Sequence, residues 1–262
     1  MPTIVALVKN VPDTWSTKKL SDDHTLDRDA VDEVLDEVNE YSVEAALRLR
    51  ESDPDAGWRV IALTVGPAGA DEALRRAIAM GADDAVHVLD DALAGSDVLG
   101  TAWTVAAAVA KLDDVRLIVA GGASSDGAVG ALPGIVAEYR QCPALTELRA
   151  VALEGDTITG TREDAHGHWE LSAPLPAVVS VTDKADKPRF PKFKGLMAAK
   201  KHEITTWDLA AIGVTPEQVG LEHAATRVTG ANERAARTAG ETVRGPESAA
   251  KVLAFLDDEN LL

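Results

Sequence analysis

Short apolar runs of four to seven residues alternate along this chain with longer segments in which apolar positions recur at helical spacing. Such runs have to be covered on both faces, which is the demand of a parallel sheet flanked by helices. The pattern predicts strands at Thr3–Val8, Trp58–Val65, Ala85–Val88, Val115–Ala120 and Leu175–Thr182, with helices at Asn39–Glu51, Ala70–Met80, Ser96–Leu112 and Val129–Tyr139. Punctuation agrees with these bounds. Gly66-Pro67 breaks the chain after the second strand, Asp71 is placed to cap the next helix, and Gly81 closes it.

Residues 144–173 change character. AVALEGDTITGTRE reads as two short strands joined at Gly155-Asp156, a hairpin inserted before the LPAVVSV strand. From Lys184 the chain turns Lys- and Pro-rich, is loop-like to about Thr242, and closes with a helix at ESAAKVLAFLDDE. This tail has no evident core of its own, so a partner is expected to supply one. The domain reading is therefore 1–183 for the α/β body, 184–202 for a recognition loop and 203–262 for an arm.

A length of 262 residues allows one elaborated domain or two small ones. No window approaches the roughly 18 apolar residues of a membrane span, so no membrane insertion is expected. The opening MPTIVALVKNVPD has neither a secretion signal nor transit-peptide character, which makes the cytoplasm the expected location. Asp and Glu outnumber Lys and Arg by 43 to 26, and a net charge of −17 repels nucleic acid. A solvated acidic surface of this kind suits high salt, where screening relieves self-repulsion. The lone Cys142 excludes an internal disulfide and a cysteine-based zinc cluster. His166 and His168 are expected in an exposed turn, and no catalytic motif or metal-ligand spacing is present.

The stretch VAGGASSDGAVGALPGIV links a strand to a helix at the carboxyl end of the sheet, where ligands of open α/β sheets bind. Gly121, Gly122, Gly127 and Gly130 permit close backbone approach, and free amides at the helix start suit a phosphate. Ser124, Ser125 and Asp126 are placed to cap the helix or to bind a ribose or a phosphate-linked water. The stretch matches neither GxGxxG nor a P-loop, so a glycine turn built for packing alone stands beside the nucleotide reading. Further along, Phe190, Phe193, Leu196 and Met197 lie among lysines and prolines. They read either as exposed docking anchors or as residues tucked against the domain's own edge.

In order, VALVKNVPD, NEYSVEAALRLRE, VIALTVGPAGADEALRRAIAMGADDAVHV, GGASSDGAVGALPGIVAE, LPAVVSVTDKADKPRFPKFKGLMAAKK and RTAGETV resemble the β subunit of electron transfer flavoproteins almost end to end. The resemblance implies a Rossmann-like α/β fold of the adenine nucleotide α-hydrolase-like type. It also implies a heterodimer whose α subunit carries the redox-active FAD, while this chain binds AMP structurally and catalyses nothing alone. Electrons would pass from acyl-CoA or related dehydrogenases to the flavin and on to a membrane quinone oxidoreductase.

The same resemblance places the nucleotide against Leu7, against Asp36, Glu37, Val38 and Asn39, and against Val65. It adds the bend itself, from Gly121, Gly122 and Ala123 through Ser124, Ser125, Asp126 and Gly127 to Ala128, Val129, Gly130, Ala131 and Leu132. Docking falls on Phe193, at the anchor position usually held by Leu, with Leu196, Met197, Lys200 and Lys201. Departures are visible: Asp36-Glu37 stands where the family often has Asn-Pro, bringing two acids near a phosphate. The Thr and Gln side chains of the usual loop are absent, and Ala198 replaces one basic residue. A variant with FAD in place of AMP, as in electron-bifurcating members that also use NADH, remains open. So does a stand-alone adenine nucleotide sensor of the universal-stress type.

Overall fold

The computed structural model describes residues 1–262 except 29, 233–234 and 236–238. The chain divides into two compact units, Met1–Val228 and Thr229–Leu262. In the first, β1 (Thr3–Leu7), β2 (Asn10–Pro12) and β3 (Glu33–Leu35) precede α1 (Glu37–Ser52). There follow β4 (Arg59–Val65), α2 (Asp71–Met80), β5 (Asp84–Val88), α3 (Val98–Lys111), β6 (Val115–Gly121) and α4 (Leu132–Tyr139). A meander of β7 (Ala144–Glu154), β8 (Thr157–Asp164) and β9 (Gly167–Pro174) then leads to β10 (Ala177–Val181), α5 (Phe193–Lys201) and β11 (Thr205–Trp207).

One nine-stranded sheet in the order β11-β5-β4-β1-β6-β10-β7-β8-β9 forms the frame. It is parallel from β11 through β7 and antiparallel across the meander. All five residues of β1 and of β10 are buried, as a covered central strand requires. Alternate side chains serve opposite faces. Ile4 and Ala6 join Val43, Leu47, Leu74 and Ala77 of α1 and α2, whereas Val5 and Leu7 join Val105, Val109 and Val136 of α3 and α4. Each fully buried Leu, Ile or Val contributes about 1.5–3 kcal/mol, so the two layers dominate the stability of this unit.

Several expectations change. Asp71 opens α2 as its first residue without capping it, and its carboxylate instead accepts from Arg75 Nε four residues on at 3.1 Å. Gly81 does close that helix, at φ +131°. The helix expected from Val129 begins at Leu132, because Ala128 and Gly130 hold positive φ and keep Val129 to Ala131 in the loop. The insertion at 144–173 is a three-stranded meander that prolongs the main sheet. Its first turn lies at Gly155 as expected, while His166 sits in the second turn and the exposed His168 within β9. The Lys- and Pro-rich segment is not all loop: after Pro191 the run FKGLMAAKK, built mostly of good helix formers, makes α5.

In the second unit, α6 (Ser248–Asp258) buries none of its residues, and Val252, Leu253 and Phe255 are exposed. The RTAGETV stretch lies partly outside the described residues.

Candidate functional site

A cavity of about 620 Å³ opens at the carboxyl ends of β1, β4 and β6, within the size range of small-ligand sites. Leu7, Leu63, Val65 and Ala120 form its floor. One wall is the start of α1, with Val38 and Asn39. The facing wall is the start of α3, with Asp97, Val98 and Thr101. The loop after β6 supplies Gly121 to Ser124, Gly127, Val129, Gly130 and Leu132, and Asp23 to Thr25 and Thr226 to Val228 complete the rim.

Close packing accounts for Gly121, where a Cβ would lie 2.6 Å from Val38 Cγ1; at Gly122 a Cβ would meet only the movable carboxylate of the exposed Glu147. Gly130 is required by its φ of +68°. Gly127 has neither constraint and faces the cavity. Packing and cavity-building are thus divided along one loop.

The two acids at the first-helix entry do not point into the cavity. Asp36 is buried and accepts from the Ser125 amide at 2.8 Å, tying α1 to the loop, while Glu37 is exposed and outside the lining. Burial, reinforced by the nearby charge of Asp126, pushes the Asp36 carboxyl up against the pull of its hydrogen bonds from Ser125. Asp126 is not in the lining either. It is clasped by Lys9 Nζ at 2.6 Å and Arg28 at 3.3 Å, with the Gly127 amide at 2.6 Å. Burial opposes its ionisation, but the charge and hydrogen bond of Lys9, with Ser124 and Gly127, hold it below the usual carboxylate range. Ser125, Ala128 and Ala131 are exposed and likewise outside the lining, whereas Ser124 belongs to it.

Lys9 and Asp97 were not singled out in the sequence. Lys9 sits just past a central strand, in a stretch from which only Leu7 was named as a site residue; its amide donates to Asn39 Oδ1 at 2.8 Å and its Nζ to Asp126, so it fixes the loop and the α1 entry together. Asp97 caps α3 through the amides of Leu99 and Gly100 and also accepts from the amide and hydroxyl of Thr226, at 2.9 and 3.0 Å. The Ser-Asp pair ahead of an apolar helix is the signal that would have revealed it.

A family model described as the electron transfer flavoprotein domain matches residues 23–212. The chain is 52% identical over 246 residues to electron transfer flavoprotein subunit beta of Mycobacterium tuberculosis, covering 93% of this chain and 92% of that one. Identity to the Megasphaera elsdenii subunit beta is 33%, over 86% and 85% of the two chains. Identity to the caffeyl-CoA reductase-Etf complex subunit CarD of Acetobacterium woodii is 30%, over 99% of each. The chain belongs to the electron transfer flavoprotein β-subunit family.

Membership makes electron transfer its field of action and implies an α-subunit partner, and the stand-alone sensor reading falls. In this β subunit the docking candidates lie on α5 or beside it. Phe190 and Phe193 are 81% and 78% exposed, Leu196 and Met197 are each 42% exposed, and Lys200 and Lys201 fill the last turn, where the helix dipole favours cations. These apolar residues are not tucked against the domain's own edge. Among the described residues no helix is long and apolar enough to cross a membrane, and no group of His, Cys, Asp or Glu has the arrangement of a metal site.

Proposed function

We propose that this chain is the non-catalytic β subunit of a heterodimeric electron transfer flavoprotein, holding AMP in the cavity at the carboxyl edge of its sheet. The observation that carries the reading is the loop from Gly122 to Leu132, which walls a cavity of about 620 Å³ and whose own Asp126, like Asp36 at the helix entry, is turned away from it. The amides of Gly122, Ser125, Gly127 and Ala128 are already engaged, by Val181, Asp36, Asp126 and Ser124. The reading gives the phosphate to other amides of the loop, those around Val129 to Leu132 at the positive end of α4 among them. Leu7, Val38 and Val65 offer apolar surface to a base.

FAD, held mainly by the α subunit, supplies the redox chemistry. The β subunit's own residues shape the nucleotide cavity and present α5 to electron donors, acyl-CoA or related dehydrogenases, on the path to a membrane quinone oxidoreductase. The apolar side of α6 is proposed to pack on the α subunit.

A second reading places FAD in this cavity, as in bifurcating members. It is favoured by the reach of the lining past the glycine loop to Asp97, Thr101 and Arg227, more wall than a mononucleotide seated on the loop would cover. Acid release of nucleotides from the purified heterodimer decides between them. One AMP and one FAD per heterodimer supports the first reading, two FAD and no AMP the second, and neither nucleotide beyond one FAD overturns both.

A further inference from the structure

The segment that carries the exposed aromatics is fastened from two sides. On one side, Arg189 lies between two carboxylates of α1. Its Nε and one terminal nitrogen donate to Glu44 at 2.7 and 3.1 Å, and both terminal nitrogens donate to Glu51 at 2.6 and 2.9 Å. The Arg189 amide adds a third bond to Glu44 at 3.1 Å, and Arg48 ties Glu44 to Asp186 at the segment's start. Glu44 is only 3% exposed, so one member of the double fork is shielded from water. Paired carboxylate forks of this kind match the planar guanidinium and cannot be reproduced by a lysine.

On the other side, α5 is seated on α2. Gly195 approaches so closely that a Cβ there would run into the Ala79 carbonyl oxygen, Ala199 is buried, and Arg75 donates to the Ala199 carbonyl at 3.0 Å. Phe190 and Phe193 stand between the two fastenings, almost wholly in solvent. Holding their backbone in advance removes an ordering cost that a loose segment would meet on binding.

We propose that Arg189 is a positioning residue for partner recognition: its double fork on α1 fixes the backbone that presents Phe190 and Phe193, so the docking surface is organised before a partner arrives. This rests on reading α5 and its lead-in as the surface that meets dehydrogenases. The clamp itself does not depend on that reading.

The test uses the full heterodimer and an acyl-CoA dehydrogenase that reduces it, with Arg189→Lys, Glu51→Gln and Phe193→Ala variants. Glu51 is a surface residue, so its variant guards against loss of fold. Hydrogen–deuterium exchange is read over amides 187–197, and dehydrogenase turnover is measured against heterodimer concentration. Arg189→Lys and Glu51→Gln are expected to speed exchange in that segment about tenfold while leaving β1 and β10 protected. They should raise the KM for the heterodimer by about the same factor, with kcat within about twofold and nucleotide content unchanged. Unchanged exchange in both variants overturns the clamp whatever the turnover assay shows, and wild-type behaviour of Arg189→Lys overturns the need for a fork. Faster exchange with unchanged KM, where Phe193→Ala does raise KM, overturns the pre-organisation role. A KM untouched by Phe193→Ala sinks the docking reading and the recognition role with it, and the exchange data then still decide whether Arg189 holds the segment.

Discussion

Asp36 and Asp126 sit at the root of the same loop and are pushed in opposite directions. Asp36, buried and with no ion pair among the described residues, has its carboxyl raised, whereas Asp126, clasped by Lys9 and Arg28, has its carboxyl lowered. A raised carboxyl favours the folded state below the ordinary aspartate range and loses that contribution as pH climbs through the raised value. Asp36→Asn keeps an acceptor for the Ser125 amide and removes the buried charge. It should leave stability at pH 7 unchanged or improve it by about 1 kcal/mol, while Asp36→Ala should cost about 1–3 kcal/mol; denaturant unfolding of both variants checks this. For Asp126 the sign reverses, since its contribution is present above the ordinary range and lost as pH falls through the lowered value. Asp126→Asn should therefore be destabilised at pH 7 and converge on the wild-type chain in acid, as unfolding followed across pH would show. The sequence marked Asp126 as a helix cap or a ligand contact, and the resemblance placed Asp36 near the nucleotide. Their true partners, Ser125 for one and Lys9 with Arg28 for the other, are separated by 89, 117 and 98 residues, so only folding brings them together.

Helix α1 does three jobs along its length. Its first turn lines the cavity through Val38 and Asn39, the same Val38 packs on Gly121 of β6, and its later turns carry Glu44 and Glu51 to Arg189. Gly121→Ala should push the helix off the sheet and cost about 1–3 kcal/mol, seen as a lowered Tm, because Val38 is branched and held on a helix. Gly122→Ala should cost less, since the atoms it meets are the free end of the exposed Glu147 side chain. The central strands, helices α1 to α4 and the terminal α6 were legible because an apolar face or stripe writes its own period into the chain. Five elements were not legible. β2 and β3 are three residues each and pair only with one another, in α5 the lysines and prolines masked a short helical run, β9 begins in a polar GHWE whose pairing comes from β8, and β11 is three residues at a sheet edge. What these share is that neighbours, not intrinsic pattern, decide them.

With a net charge of −17 the molecule as a whole repels itself. Raising salt from about 0.1 M to about 1 M shortens the screening length from about 10 Å to about 3 Å. Thermal unfolding should therefore shift upward by on the order of a few °C over that range, against the weakening that salt brings to exposed ion pairs. The first unit closes at Val228, and a chain ending there should keep its Tm within a few °C yet fail to copurify one-to-one with an α subunit. The rims of the sheet have a further consequence. At one end β11 offers three residues, and at the other β9 places an exposed His168 and Glu170 along its length and ends at Pro174. A three-residue edge at one end, and at the other an edge that exposes a charge and closes on a proline, are poor templates for a neighbouring backbone. A subunit that waits alone for its counterpart is thereby guarded against stacking edge to edge with its own copies, and aggregation is held off until assembly.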